Sequence, residues 1–74
     1  MESKTDAAGQ TYFEVSNIRV TCVAKTWDGS RGLRIQSYKS NRQLNPGAEL
    51  PVPDKATAYD LISAIAAALQ ANGI

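Results

Sequence analysis

Hydrophobic and polar residues alternate on both sides of an Asp28-Gly29 dipeptide, and this pattern predicts a β-hairpin. Alternation places successive side chains on opposite faces of a strand, and Asp-Gly tolerates the positive φ of a tight turn. One face is predicted to be apolar and to point inward: Ile18, Val20, Cys22, Ala24, Leu33 and Ile35. The other face is predicted to be polar and aromatic: Arg19, Thr21, Val23, Lys25, Trp27, Arg34, Gln36 and Tyr38. The second face is where we expect function.

The N-terminal part of the chain divides into a polar segment and a short strand. Residues 1–10 are small and polar without a period, so they are predicted to form a flexible tail. Residues 11–15 alternate and are predicted to form a strand whose apolar residues point inward. Ser16-Asn17 then predicts a tight turn or a bulge. The chain is thus expected to be a tail followed by a single small domain, residues 11–74.

Proline and glycine organise the segment after the hairpin. Pro46-Gly47 predicts a β-turn, because Pro sets φ at the first central position and Gly supplies positive φ at the second. Residues 48–53 are predicted to form a brief strand with Leu50 and Val52 inward. Its prolines cannot donate to a strand ladder, which places this strand at an edge of the sheet.

Residues 57–72 have a helical period and predict an α-helix that ends at Gly73. Thr57 and Asp60 form a weak capping-box pattern, and Asp54 is an alternative N-cap. An apolar stripe is expected to pack against the sheet: Ala58, Leu61, Ile62, Ile65 and Leu69. The neighbouring face carries alanines: Ala64, Ala67, Ala68 and Ala71. This face predicts a seam for a second subunit, although the high helix propensity of alanine explains it without a partner.

These elements predict an α+β fold, an antiparallel sheet of three to four strands followed by one C-terminal helix. A chain of 74 residues buries only about 60% of its unfolded surface, so it is marginal alone. Cys22 is the only cysteine and the chain has no His, which leaves no disulfide and predicts no metal site or cofactor. We therefore expect a homodimer formed through the C-terminal helix.

The sequence also predicts where the protein resides. No apolar run approaches the roughly 20 residues that span a bilayer, and the N-terminus lacks the features of a signal peptide. A free cysteine without an export signal fits a reducing compartment. We expect a cytoplasmic protein that does not associate with a membrane.

The charges are unevenly distributed along the chain. Residues 18–42 contain six Lys or Arg and one Asp, whereas the rest of the chain contains two Lys and six Asp or Glu. Such asymmetry favours a polyanionic partner, although a solvated strand face also accounts for Lys and Arg.

The order of strands, Asp-Gly turn, strand, Pro-Gly turn, short strand and helix resembles the family of the transcriptional coactivator positive cofactor four. The resemblance covers about residues 18–69. It aligns the family's motif residues with a set in this chain: Trp27, Gly29, Leu33, Ile35, Tyr38, Pro46, Gly47, Leu50 and Val52. The resemblance implies a homodimer that binds single-stranded DNA along curved antiparallel sheets and a role in transcription regulation.

Several basic and aromatic positions of that family differ in this chain. The family's lysine after the turn glycine is Ser30, and its strand arginine is Gln36. The tryptophan that closes the strand is Lys39, and the basic residues after Pro-Gly are Ala48 and Glu49. The DNA contacts of those positions are therefore not carried over.

The leading hypothesis is sequence-tolerant binding of single-stranded DNA or RNA, which requires cations along the phosphates and rings on which bases stack. Trp27 and Tyr38 are the predicted stacking platforms. The residues predicted to contact phosphates are Arg19, Lys25, Arg31, Arg34, Lys39 and Arg42. Thr21 and Gln36 are predicted to hydrogen-bond to the nucleic-acid backbone or to base edges.

The alternative hypothesis is a small homodimeric protein-interaction module or inhibitor, of the kind encoded by mobile elements. Trp, Tyr and Arg are also favoured at protein interfaces, so the same face suits an acidic protein surface or a nucleotide signal. We do not expect an enzyme, because no His is present and no nucleophile lies in a pattern with a base.

Overall fold

The computed structural model describes all 74 residues and contains one antiparallel sheet followed by one helix. Five strands lie side by side in chain order: β1 (Lys4–Thr5), β2 (Thr11–Val15), β3 (Ile18–Val23), β4 (Gly32–Ser37) and β5 (Glu49–Pro51). Helix α1 spans Lys55–Ala71. The predicted α+β fold is confirmed, but the predicted number of three to four strands is wrong, because the N-terminal segment adds a strand.

The segment predicted to be a flexible tail contains β1. Lys4 pairs with Tyr12 in the ladder, and its Nζ donates to Glu14 Oε1 at 2.7 Å. Asp6 Oδ1 accepts from the backbone N–H groups two and four residues later, which shapes the turn into β2. The prediction of a structureless segment over residues 1–10 is therefore wrong from residue 4 onward, because Lys4 finds a cross-strand carboxylate.

The central hairpin has the predicted division into two faces. Val20 lies opposite Ile35, and Cys22 lies opposite Leu33. The residues between them on β3, such as Thr21, lie on the other face. The first strand is shorter than predicted, since pairing stops after Val23↔Gly32 and residues 24–31 form a loop.

The loop between β3 and β4 is built around the predicted Asp-Gly dipeptide. Gly29 has φ +87°, and its N–H donates to the Thr26 carbonyl oxygen at 2.9 Å, closing a β-turn. Asp28 Oδ1 accepts from the Thr26 hydroxyl and from the backbone and hydroxyl of Ser30. These hydrogen bonds lower the pKa of Asp28, and the bonds from Ser30 have the largest effect. The turn leaves Trp27 at the loop tip.

The turn that follows β4 is not at the predicted Pro46-Gly47. The chain reverses instead at residues 39–43, where the Lys39 N–H donates to the Gln43 carbonyl at 2.6 Å and Arg42 has φ +67°. Gly47 does not have positive φ; a Cβ there would overlap the carbonyl oxygen of Ile35. The glycine is therefore explained by close approach to β4, which the sequence does not reveal.

Helix α1 has the N-cap that was predicted as an alternative. Asp54 Oδ1 accepts from the Thr57 backbone N–H at 2.8 Å, and this bond lowers the pKa of Asp54. The helix begins two residues before the predicted start and ends at Ala71, with Asn72 as its C-cap and Gly73 following with φ +84°.

The predicted packing of the helix stripe on the sheet is wrong. No residue of α1 is buried, and Ile62 and Ile65 are 60% and 50% exposed. The apolar face of the sheet is also uncovered, with Val15 and Ile18 both exposed. The apolar pattern predicts that these surfaces are covered, but it does not specify which chain covers them.

Burial in the chain is slight and lies in an unexpected place. Five of the 74 residues are buried, and the only two large hydrophobic ones are Val23 and Tyr38. Together with Thr21 they lie on or beside the polar face, where long side chains pack on one another. Helix α1 does not have the length and hydropathy that crossing a lipid bilayer requires.

Candidate nucleic-acid interface

The loop between β3 and β4 carries one exposed aromatic ring and two exposed cations. Trp27 is 77% exposed, and Lys25 and Arg31 in the same loop are exposed as well. Neither cation has an ion pair or a side-chain hydrogen bond. We call Lys25, Trp27 and Arg31 the hairpin-tip cluster. An open indole beside unpaired cations suits a flat, anionic ligand.

The loop that carries this cluster is held in place at its base. The Thr26 N–H donates to the Ser30 carbonyl at 2.7 Å, and the Val52 N–H donates to the Arg31 carbonyl at 3.1 Å. A Cβ on Gly32 would overlap the carbonyl oxygen of Leu50, so β5 lies directly against the end of the loop. The backbone of the hairpin-tip cluster is therefore ordered although its side chains are open to solvent.

A second cluster on the polar face alternates rings and guanidinium groups. The Arg19 guanidinium carbon lies 3.8 Å from the centre of the Tyr12 ring and 5.4 Å from that of the Tyr38 ring. The Arg42 guanidinium carbon lies 4.3 Å from the Tyr38 ring centre. We call these four residues the cation–aromatic stack. Cation–π contacts of this kind fix the side chains relative to one another.

The Tyr38 hydroxyl links the cation–aromatic stack to a carboxylate. It accepts from Arg19 Nε at 2.9 Å and donates to Glu14 Oε2 at 2.5 Å. The hydrogen bond from Lys4, and to a smaller extent the one from Tyr38, lowers the pKa of Glu14. The Glu14 carboxylate also raises the pKa of Lys4. A single carboxylate thus connects the edge strand β1 to the stack.

The prediction that Trp27 and Tyr38 form one exposed aromatic surface is wrong. Tyr38 is only 7% exposed, and its ring lies between two guanidinium groups. Its backbone N–H donates to Asn17, at the end of the hairpin opposite the loop that holds Trp27. Tyr38 therefore does not offer a free face for a base, because its own arginines already cover it.

The residues at the centre of the polar face that were predicted to contact nucleic acid are bonded within the chain or buried. Arg34 Nη2 lies 2.8 Å from Glu49 Oε2, and its Nη1 lies 3.4 Å from Gln10 Oε1. Gln36 Nε2 donates to a backbone carbonyl at 3.0 Å. Thr21 is 1% exposed, so the prediction that its hydroxyl meets a ligand is wrong.

The turn at residues 39–43 carries the remaining predicted cations. Lys39 and Arg42 are both exposed, and neither has an ion pair. The backbone of Arg42 is in the left-handed region, which costs a non-glycine residue of order 1–3 kcal/mol. Its guanidinium packs on the Tyr38 ring. We call Lys39 and Arg42 the second-turn pair.

Sequence reasoning missed the carboxylates of the polar face. Glu14 pairs with Arg19 in the β2–β3 ladder, and Glu49 pairs with Arg34 in the β4–β5 ladder. Directly opposed residues of opposite charge attract across a sheet. The signal was therefore present in the residue types, but it needs the strand register, which the sequence alone did not supply.

Other candidate chemistry is sparse in this structure. No group of three or more acidic, Cys or His side chains lies close enough to hold a metal ion. An open groove of about 660 Å³ lies at the hairpin end of the sheet, between the β1–β2 turn, Cys22 and Val52. Its mixed, mostly apolar lining contains no nucleophile–base pair.

Comparisons of the chain with known protein families, with curated proteins and with solved structures find no match. The resemblance to the positive cofactor four family therefore stays a prediction.

Proposed function

We propose that this protein is a homodimer that binds single-stranded nucleic acid without strong sequence preference. The observation that carries the proposal is the open indole of Trp27 in the same loop as two exposed, unpaired cations, Lys25 and Arg31. Every nucleobase has a π-face, so stacking on an exposed indole tolerates any sequence and contributes about 1–3 kcal/mol per base.

The proposed contacts are a revised subset of the predicted ones. Trp27 stacks on a base, while Lys25 and Arg31 neutralise the phosphates on either side of it. Lys39 and Arg42 supply a second basic region beyond the far end of β4. Arg19, Thr21, Arg34, Gln36 and Tyr38 support the face from within, since each is at least half-buried.

A second copy of this chain is the proposed cover for the apolar surfaces. One face of the sheet and one stripe of α1 are both exposed, and only five residues are buried. Single small domains need more burial than this to offset the conformational entropy of folding. Pairing two chains through Ile62, Ile65 and Leu69 of α1 covers the stripe without any further partner.

Binding of a fluorescently labelled oligo-dT tests the proposal. At low salt we expect a micromolar or tighter complex that weakens steeply as salt rises, because phosphate neutralisation releases counterions. Trp27→Ala should weaken binding by about tenfold or more, given the stacking energy of one base. Tyr59→Ala, which removes an exposed ring from the helix, is the matched control and should change nothing. Failure of micromolar wild-type protein to bind at low salt would overturn the proposal.

A protein-interaction module is the second candidate, and the uncovered apolar surface of sheet and helix favours it. Large exposed apolar patches mark protein interfaces in soluble proteins. The two candidates differ in salt dependence. An interface dominated by Ile62 and Ile65 should change little between low and high salt, whereas phosphate contacts at the hairpin-tip cluster should be lost.

A further inference from the structure

Arg34 occupies the centre of the polar face, yet it is neutralised by a residue of the neighbouring strand. Glu49 lies directly opposite it in the β4–β5 ladder, and the two side chains form an ion pair at 2.8 Å. Both side chains are about one-third exposed, so the pair lies at the surface that a ligand would cross. A further bond to Gln10 fixes the other guanidinium nitrogen.

The unpaired cations of β4 and its flanks lie only beyond its two ends. Lys25 and Arg31 precede the strand, and Lys39 and Arg42 follow it. Between these two regions the polar face carries two carboxylates, Glu14 and Glu49, each within hydrogen-bond distance of a cation. The unpaired positive charge of β4 and its flanks is therefore divided into two separate regions.

We infer that Glu49 masks Arg34 by occupying the position of a ligand phosphate, so that a single strand is held at the two turns and not along the centre of the sheet. This inference rests on the proposed function and specifies which cations serve it. A carboxylate and a phosphate both accept from guanidinium N–H groups, so they compete for the same donors. Glu14 plays the corresponding part for Lys4 at the neighbouring edge.

Removing the charge of Glu49 should convert a masked cation into a ligand contact. Glu49→Gln keeps the length of the side chain and an acceptor for Arg34 but abolishes the negative charge. One additional neutralised phosphate makes the slope of log K against log salt steeper by about 0.7 for a single strand. At low salt this corresponds to a gain in affinity of about threefold to tenfold.

The test measures oligo-dT binding over a salt series for wild type, Glu49→Gln and Asp60→Asn. Asp60 lies on the exposed helix and has no ion pair, so its substitution changes the net charge equally without releasing a cation. We expect the higher affinity and the steeper salt slope for Glu49→Gln but not for Asp60→Asn. The double variant Glu49→Gln/Arg34→Gln should return to the wild-type slope.

Two outcomes overturn the inference. Equal gains for Glu49→Gln and Asp60→Asn show a general charge effect, and a gain that persists in the double variant shows that Arg34 is not the released cation. Both outcomes are measured on proteins that still bind the oligonucleotide through Trp27. They are therefore distinct from failure of the proposed function, in which wild type does not bind or Trp27→Ala binds equally well.

Discussion

Trp27 and Tyr38 lie beyond opposite ends of β4, Trp27 in the loop before Gly32 and Tyr38 directly after Ser37. Six strand residues at about 3.3 Å each separate the two positions by about 20 Å. One aromatic residue is open to solvent and the other is enclosed by arginines. The two rings thus have different roles, Trp27 as a contact for ligand and Tyr38 as the support of a polar network.

The supporting role of Tyr38 predicts a stability effect without a direct binding effect. Tyr38→Phe removes the hydroxyl that accepts from Arg19 and donates to Glu14. Loss of these bonds in a half-buried network should lower the free energy of unfolding by about 1–3 kcal/mol. Urea unfolding at fixed protein concentration measures the change.

The control for that measurement is Tyr59→Phe, because the Tyr59 ring is 66% exposed and its hydroxyl has no partner. Equal stability of the Tyr38→Phe and wild-type proteins would show that the hydroxyl network does not stabilise the sheet.

The N-cap of α1 predicts a dependence of helix content on pH. The folded-state pKa of Asp54 lies below its unfolded value, because the Thr57 N–H bonds to the carboxylate. The stabilisation is therefore fully present above the ordinary aspartate pKa of about 4 and is lost as pH falls through the lower folded-state value. Far-UV circular dichroism from pH 7 to pH 2 should show the helix signal weakening at the acidic end.

Asp54→Asn isolates this contribution from those of Glu14 and Asp28, whose pKa values are also lowered. Asparagine caps helices well but does not titrate in this range. Its acid-induced loss of helix signal should be smaller than that of wild type, and equal pH profiles of the two proteins contradict the assignment.

The sequence predicted the division of the sheet into two faces but not which face is buried: Thr21 and Val23 of the predicted outward face are buried, whereas Ile18 and Cys22 of the predicted inward face are exposed. Alternation located β2, β3 and β4 and the apolar set that includes Val20 and Ile35, because strand periodicity depends on local geometry, but it missed β1. Whether a face is covered depends on packing between distant segments, so the exposed stripe of α1 was not foreseen. The apolar residues were located correctly, but the predicted packing of α1 on the sheet was wrong, and both apolar surfaces are exposed.

The candidate site shows the same division. Trp27 was identified because alternation along the first strand placed it on the same face as Arg19 and Lys25, and alternation is a local feature. The neutralisation of Arg34 by Glu49 joins residues 15 apart in the chain and depends on the β4–β5 register. A count of charges along the chain does not contain that information.

The proposed dimer predicts that a charge on the apolar stripe of α1 disrupts association. Ile65→Asp places a carboxylate in the surface that a second copy is expected to cover, and its burial there is unfavourable. Sedimentation at micromolar concentration should give twice the mass of one chain for wild type. The variant should give monomers or an unfolded chain.

Ser63→Asp provides the matched control, since Ser63 is exposed on a different side of the helix from Ile65. It should sediment as wild type does. A dimer that persists in Ile65→Asp, or a wild-type chain that is folded and monomeric, contradicts the proposed interface.

The fluorescence of Trp27 during titration with oligo-dT tests the central claim most directly, because this residue is the only tryptophan in the chain. Stacking of a base on the exposed indole should quench the emission, and addition of salt should restore it as the phosphate contacts are lost. We predict saturable quenching at low salt with an affinity that matches the labelled-oligonucleotide measurement. Emission that stays unchanged while the oligonucleotide binds would show that Trp27 is not the contact, and the proposed interface would be wrong.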